Sequence, residues 1–122
     1  MNIQVAVKQG TNMLKDKYIR SAKLDSEILM AKAIGKNRED FILNNDINLK
    51  HKNLQYFKRL ILERATRKPI AYLLKKKFFW NNEFFVNKDT LIPRPDTEVL
   101  IEQILKYTKH KNKINILDIG VG

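Results

Sequence analysis

The sequence predicts a helical bundle, then a β-hairpin, then the first helix and strand of an α/β unit, and three observations carry that reading. Apolar residues recur at helical spacing from Ile3 to about residue 74. Two aromatic triplets, Phe78-Phe79-Trp80 and Phe84-Phe85-Val86, then flank Asn81-Asn82. Finally, an apolar run from Ile114 to Ile119 leads into Gly120-Val121-Gly122.

The elements follow in order. Ile3, Ala6, Val7, Gly10 and Leu14 form one stripe of a helix over 3–18. Gly10 inside it costs about 1 kcal/mol relative to alanine, so either close packing excuses it or the helix frays. A second helix starts at Ser21 or Lys23, with Leu24, Ile28 and Ala31 on one face and Gly35 as its stop. Residues 37–44 suit a short helix with Asn37 as cap, Glu39 and Asp40 at its positive end, and Phe41, Ile42 and Leu43 buried. A loop of Asn and Asp at 44–48 precedes the longest helix, Leu49 to Arg67, with Leu54, Phe57, Leu60 and Ile61 inward. Pro69 ends it and starts a short turn through Ala71-Tyr72-Leu73. Asn81-Asn82 tolerates the positive φ of a tight hairpin turn. From Asp96 to about Lys109 a helix resumes, with Ile101, Ile104, Leu105 and Thr108 on one face, and residues 114–119 form a strand.

Composition bounds the function. Cysteine is absent, which excludes disulfides and thiolate metal sites, and both histidines, His51 and His110, sit among lysines, so no metal site is expected. No apolar run approaches the ~20 residues that span a bilayer, and a cytoplasmic monomer is expected. The net charge of +11 attracts polyanions such as RNA. Yet arginine, the better residue for bidentate phosphate contacts, supplies 6 of the 24 cations, so coding bias and solubility explain the charge more simply. Lys75-Lys76-Lys77 beside the aromatic hairpin reads by the same logic as a solvated edge that discourages strand aggregation, ahead of a nucleic-acid surface.

Two motifs carry chemistry. In Leu117-Asp118-Ile119-Gly120-Val121-Gly122 the glycines let the backbone turn sharply and approach a ligand. In Pro93-Arg94-Pro95 each proline fixes its own φ, so Arg94 is held at fixed reach before a helix that begins at Asp96-Thr97. That helix start either serves as a stiff entrance or holds an anion such as a carboxylate.

Lys68-Pro69-Ile70-Ala71-Tyr72-Leu73-Leu74, Phe79-Trp80, the whole of Leu91-Ile92-Pro93-Arg94-Pro95-Asp96-Thr97-Glu98, and Ile116 to Gly122 together resemble the release-factor glutamine methyltransferases, or HemK-type enzymes. Asp25-Ser26-Glu27-Ile28-Leu29 and Phe41-Ile42-Leu43 resemble that family's small N-terminal domain. The resemblance implies S-adenosylmethionine as cofactor and, as partner and substrate, the Gly-Gly-Gln glutamine of peptide-chain release factors, a protein methylation in translation termination. It implies a helical release-factor-binding domain over 1–74, a hairpin linker over 75–95, and the start of a truncated Rossmann-like methyltransferase domain over 96–122. Thr97, Asp118, Gly120, Val121 and Gly122 match positions that lie by the cofactor, with Val121 where Thr is more usual, and Arg94 and Glu98 match the substrate side. Lys75 departs from the pattern, since the family generally has Gly there, and the turn into the hairpin is expected to be strained. The family's catalytic Asn-Pro-Pro-Tyr does not occur in these 122 residues, so they are expected to be an inactive fragment or remnant. The competing expectation is a basic helical module that binds a release factor or ribosomal RNA without catalysis.

Overall fold

The computed structural model describes residues 1–44 and 47–121. Four helices make the bundle: α1 (Ile3–Asp16), α2 (Ala22–Ile34), α3 (Arg38–Leu43) and α4 (His51–Ala65). A short α5 (Ile70–Leu74) leads into the hairpin β1 (Lys76–Phe79) and β2 (Asn82–Phe85), and α6 (Pro95–Thr108) follows. Among the described residues no helix is long and apolar enough to cross a membrane.

Asn2 caps α1, its Oδ1 accepting the Gln4 N–H at 2.7 Å. The predicted stripe Ile3, Ala6, Val7, Gly10 and Leu14 is buried, joined by Thr11, whose hydroxyl donates to the Val7 carbonyl. Gly10 is the point where three helices meet. A Cβ there would stand 2.7 Å from Ser26 Oγ of α2 and 2.8 Å from Phe57 Cζ of α4. Close packing, not fraying, explains the glycine.

α2 ends as predicted at Gly35, which adopts φ 69° and donates its N–H to the Ala31 carbonyl. Its inward face differs from the one expected. Leu24 is 45% exposed and Ile28 and Ala31 are half-buried, while Ala22, Asp25, Ser26, Leu29, Met30 and Ala33 form the buried side. A stripe drawn through apolar residues alone misses Asp25 and Ser26, which are buried because other helices satisfy them. Ser26 Oγ donates to the Val7 carbonyl of α1 at 2.9 Å. Asp25 Oδ2 accepts from Arg64 Nε of α4 at 2.8 Å and from Ser21 Oγ at 2.9 Å.

In α3 only Phe41 is buried, whereas Ile42 and Leu43 are 43% and 81% exposed. A helix of six residues presents one face to the core, and one aromatic fills it. Of the predicted 44–48 loop, Asn45 and Asp46 lie outside the described residues. Beyond them an isolated bridge pairs Asn48 with Asn2, and the Leu49 N–H donates to the Met1 carbonyl at 3.1 Å. α4 is shorter than predicted but buries Phe57, Leu60 and Ile61, with Leu54 packed at the edge of the core.

α5 starts behind Pro69 as expected and stops at Lys75, which takes the left-handed conformation (φ 60°, ψ 25°). This is the turn expected to be strained. A left-handed non-glycine residue costs about 1–2 kcal/mol, part of which glycine gives back through its freer unfolded state. Lys75→Gly is therefore expected to stabilise the chain by about 0.5–1 kcal/mol, read as a higher urea midpoint. A lower midpoint would contradict the strain at this turn.

The hairpin forms, with its turn one residue earlier than expected. Phe79 pairs with Asn82, so Trp80 and Asn81 are the turn residues, at φ 50° and 60°. These are the positive values of a type I′ turn. Asn82 instead begins β2 and its amide Nδ2 donates to the Trp80 carbonyl at 3.1 Å. An edge-to-face contact between Phe79 and Phe84, centroids 6.2 Å apart, braces the strands.

α6 forms at the predicted place but buries no residue. Ile101, Ile104 and Thr108 are half-buried, and Leu105 is 51% exposed. The strand expected at 114–119 does not form among the described residues. Ile116, Leu117 and Ile119 are 65%, 83% and 85% exposed. A strand needs a partner for its backbone hydrogen bonds, and β1 and β2 are paired to each other alone.

Candidate functional site

The residues singled out at 94–98 sit at the end of a connected bridge that starts in the helical bundle. The Tyr72 hydroxyl of α5 donates to the Thr90 carbonyl at 2.7 Å. The Val86 N–H donates to the Lys75 carbonyl at 3.2 Å, and the Val86 side chain is 1% exposed. Asn87 then turns the chain, its Oδ1 accepting from the Asp89 N–H at 2.9 Å and from Thr90 Oγ1 at 3.1 Å. Such an Asx turn fixes direction without help from a sheet. Ile92 and Pro93 follow, half-buried.

Arg94 is extended (φ −102°, ψ 144°) because a proline follows it, and Pro95 occupies the first turn of α6, where its missing N–H costs nothing. The Thr97 N–H donates to the Arg94 carbonyl at 3.1 Å, closing that turn. Asp96 and Glu98 lie in the same turn, at the positive end of the helix dipole. Arg94, Asp96 and Thr97 are exposed. Glu98 is half-buried, and its Oε1 accepts the Trp80 N–H at 3.1 Å. The acid at the start of α6 thus holds the tip of the hairpin in its left-handed turn.

Glu98→Ala is expected to free the hairpin tip, costing about 1 kcal/mol as one side-chain hydrogen bond is lost. Trp80 is the single tryptophan, so a red shift of its fluorescence and faster exchange of its amide proton would report the release. Unchanged emission and exchange would sink this role for Glu98.

The second predicted group is arranged differently. Asp118, Gly120 and Val121 are exposed, and Gly122 lies outside the described residues. Gly120 has φ 81°, and among the described residues nothing lies within 4 Å of the place a Cβ would take. That positive φ is the conformation a sharp glycine turn requires, while the whole run 109–121 is exposed. The structure therefore gathers Arg94, Thr97 and Glu98 at one helix entrance. Among the described residues no hydrogen bond or ion pair joins Asp118, Gly120 or Val121 to them. The Tyr72–Thr90 tether is invisible in the sequence, although Tyr72 lies within Lys68–Leu74, because a hydroxyl-to-carbonyl bond across 18 residues leaves no local pattern.

Residues 6–74 match the family model described as the PrmC N-terminal domain. A release factor glutamine methyltransferase of Buchnera aphidicola (subsp. Acyrthosiphon pisum) is 38% identical over 122 residues, 100% of this chain and 43% of the relative. One from Leptospira interrogans is 38% identical over 99% of this chain and 43% of the relative. A bifunctional methyltransferase of Rickettsia bellii is 37% identical over 87% of this chain and 19% of the relative. The chain thus spans about 43% of the length of the first two curated relatives.

Proposed function

Because the chain belongs to the PrmC N-terminal domain family, we propose that residues 1–74 dock a peptide-chain release factor for glutamine methylation. Residues 75–95 are the linker that carries the docked protein toward the methyl-transfer site, and residues 96–122 open the catalytic domain, Rossmann-like in its complete form. The observation that carries this reading is that the similarity to release factor glutamine methyltransferases runs the length of the chain, from the helical bundle through Leu91–Glu98 to the glycine run.

The chemistry explains why docking and linker matter. The nucleophile is a side-chain amide nitrogen, weak because its lone pair is delocalised into the carbonyl. It reacts only when held in line with the methyl group and hydrogen-bonded as charge develops. S-adenosylmethionine, when bound, supplies an electrophilic methyl on sulfonium. Thr97, Asp118, Gly120, Val121 and Gly122 would hold it, and the positive φ of Gly120 suits the sharp turn of such a loop. Arg94 faces the substrate side at fixed reach, and Glu98 keeps the hairpin seated on α6. The hydrogen bonds at Tyr72, Asn87 and Glu98 restrain the linker, which narrows the positions a release factor docked on the bundle can take relative to α6. No Asn-Pro-Pro-Tyr occurs in these residues to bind the amide, so the 122-residue polypeptide transfers no methyl by itself.

The test is a competition. With labelled S-adenosylmethionine and limiting release factor, the 122-residue polypeptide alone is expected to give no labelling above background. In excess over a full-length relative, it is expected to slow methylation severalfold by occupying the release factor. Labelling by the polypeptide alone would refute its inactivity, and an unchanged rate at saturating excess would refute docking.

A further inference from the structure

One groove on the bundle combines an apolar floor with a basic rim, a composition that neither the core nor the linker uses. It is a groove of about 640 Å³ where the end of α2, the start of α3 and the junction of α5 with β1 converge. Ile28, Ala31 and Leu74, all half-buried, give it an apolar floor. Four cations rim it: Lys32, Lys36, Arg38 and Lys76. Asp40 is the one acidic residue in its lining among the described residues.

Two of the cations have long ion pairs with carboxylates that are not among the lining residues. Arg38 Nε lies 3.8 Å from Glu27 Oε2, and Lys76 Nζ lies 3.7 Å from Glu83 Oε2. Lys32 and Lys36 are exposed and have no acidic partner within 4 Å among the described residues. An apolar floor beneath uncompensated positive charge selects an occupant that is apolar on one side and acidic on the other. Single-stranded nucleic acid fits less well, since no aromatic ring lines the groove to stack a base and one arginine is available for phosphate.

Resting on the docking reading above, we propose that this groove takes an acidic amphipathic segment of the release factor. Its apolar side chains lie against Ile28, Ala31 and Leu74, and its carboxylates meet Lys32 and Lys36. Because Lys76 belongs to β1, the occupant touches both the bundle and the hairpin.

The test titrates purified release factor into the whole 122-residue chain at two salt concentrations. It compares wild type, Lys36→Glu, the pair Lys32→Glu/Lys36→Glu, and a matched pair outside the groove, Lys52→Glu/Lys58→Glu on α4. The groove pair is expected to weaken binding at least about tenfold and flatten its salt dependence, with the outside pair changing it less than about threefold. Lys36 lies beyond the helix, so Lys36→Glu alone leaves the end of α2 intact and is expected to give an intermediate loss. Equal weakening by both pairs, or none by the groove pair, would overturn the groove while leaving docking in place. Absence of wild-type binding would overturn docking and the groove together. A mixed 16-nucleotide RNA that binds more tightly than the release factor, and loses that binding in the groove pair, would reassign the surface to nucleic acid.

Discussion

Asp25→Ala is expected to remove about 3 kcal/mol of stability, the lower part of the range for breaking a buried ion pair by deleting one partner. The Asp25 side chain is 6% exposed and the Arg64 side chain 17%. Nearly all of the loss comes from the guanidinium left behind, which stays desolvated without its carboxylate. The pair also ties α2 and α4 to the turn before α5. Arg64 Nη1 donates to the Lys68 carbonyl at 3.1 Å, so freeing Arg64 loosens the approach to Pro69 and α5. Urea unfolding would show the loss as a lower midpoint at unchanged slope. A double replacement, Asp25→Leu with Arg64→Met, is expected to recover most of the loss, because apolar residues of similar volume substitute for buried pairs at little net cost. A single-variant loss below about 1 kcal/mol would mean the pair is no better than a surface contact.

Phe41→Ala is the second large effect, expected to cost about 3–5 kcal/mol, the usual range for truncating a buried phenylalanine. Phe41 is 2% exposed and is the only residue that α3 buries. A six-residue helix has too little intrinsic stability to persist without its anchor. The variant is therefore expected to lose amide protection across 38–43 before the rest of the bundle, and with it the wall that places Arg38 and Asp40 at the groove. Ile42→Ala, at a residue 43% exposed, is expected to cost far less. Comparable losses at the two positions would contradict the single-anchor description of α3.

Much of this structure was legible in the sequence, and the failures share a cause. The α1 stripe, the Gly35 stop and the Pro69 start rest on local rules of spacing and backbone conformation, and all three hold. The glycine anomaly at position 10 was visible too, but only the approach of Ser26 and Phe57 tells why it is there. Errors arose where a residue's state depends on a distant partner. Asp25 is buried because of Arg64, 39 residues away. Trp80 accepts a positive φ while Glu98, 18 residues away, takes its N–H. The run 114–119 has strand composition, but composition alone supplies no neighbour.

The candidate site divides the same way. The rigid entrance at Arg94-Pro95 follows from proline geometry and is found. That Glu98 braces the hairpin could not be read from its position in a motif. The basic groove was equally hidden, since Lys32 and Lys36 at the end of α2 and Lys76 on β1 are far apart in sequence and only the fold brings them to one rim.

Amide chemical-shift mapping of the labelled 122-residue chain decides whether the helical bundle docks a release factor. Adding unlabelled release factor is expected to perturb amides within residues 1–74 in a saturable 1:1 titration, leaving those of 96–121 largely unmoved. Saturable shifts confined to residues 96–121, or no shifts at all, would contradict docking by the bundle.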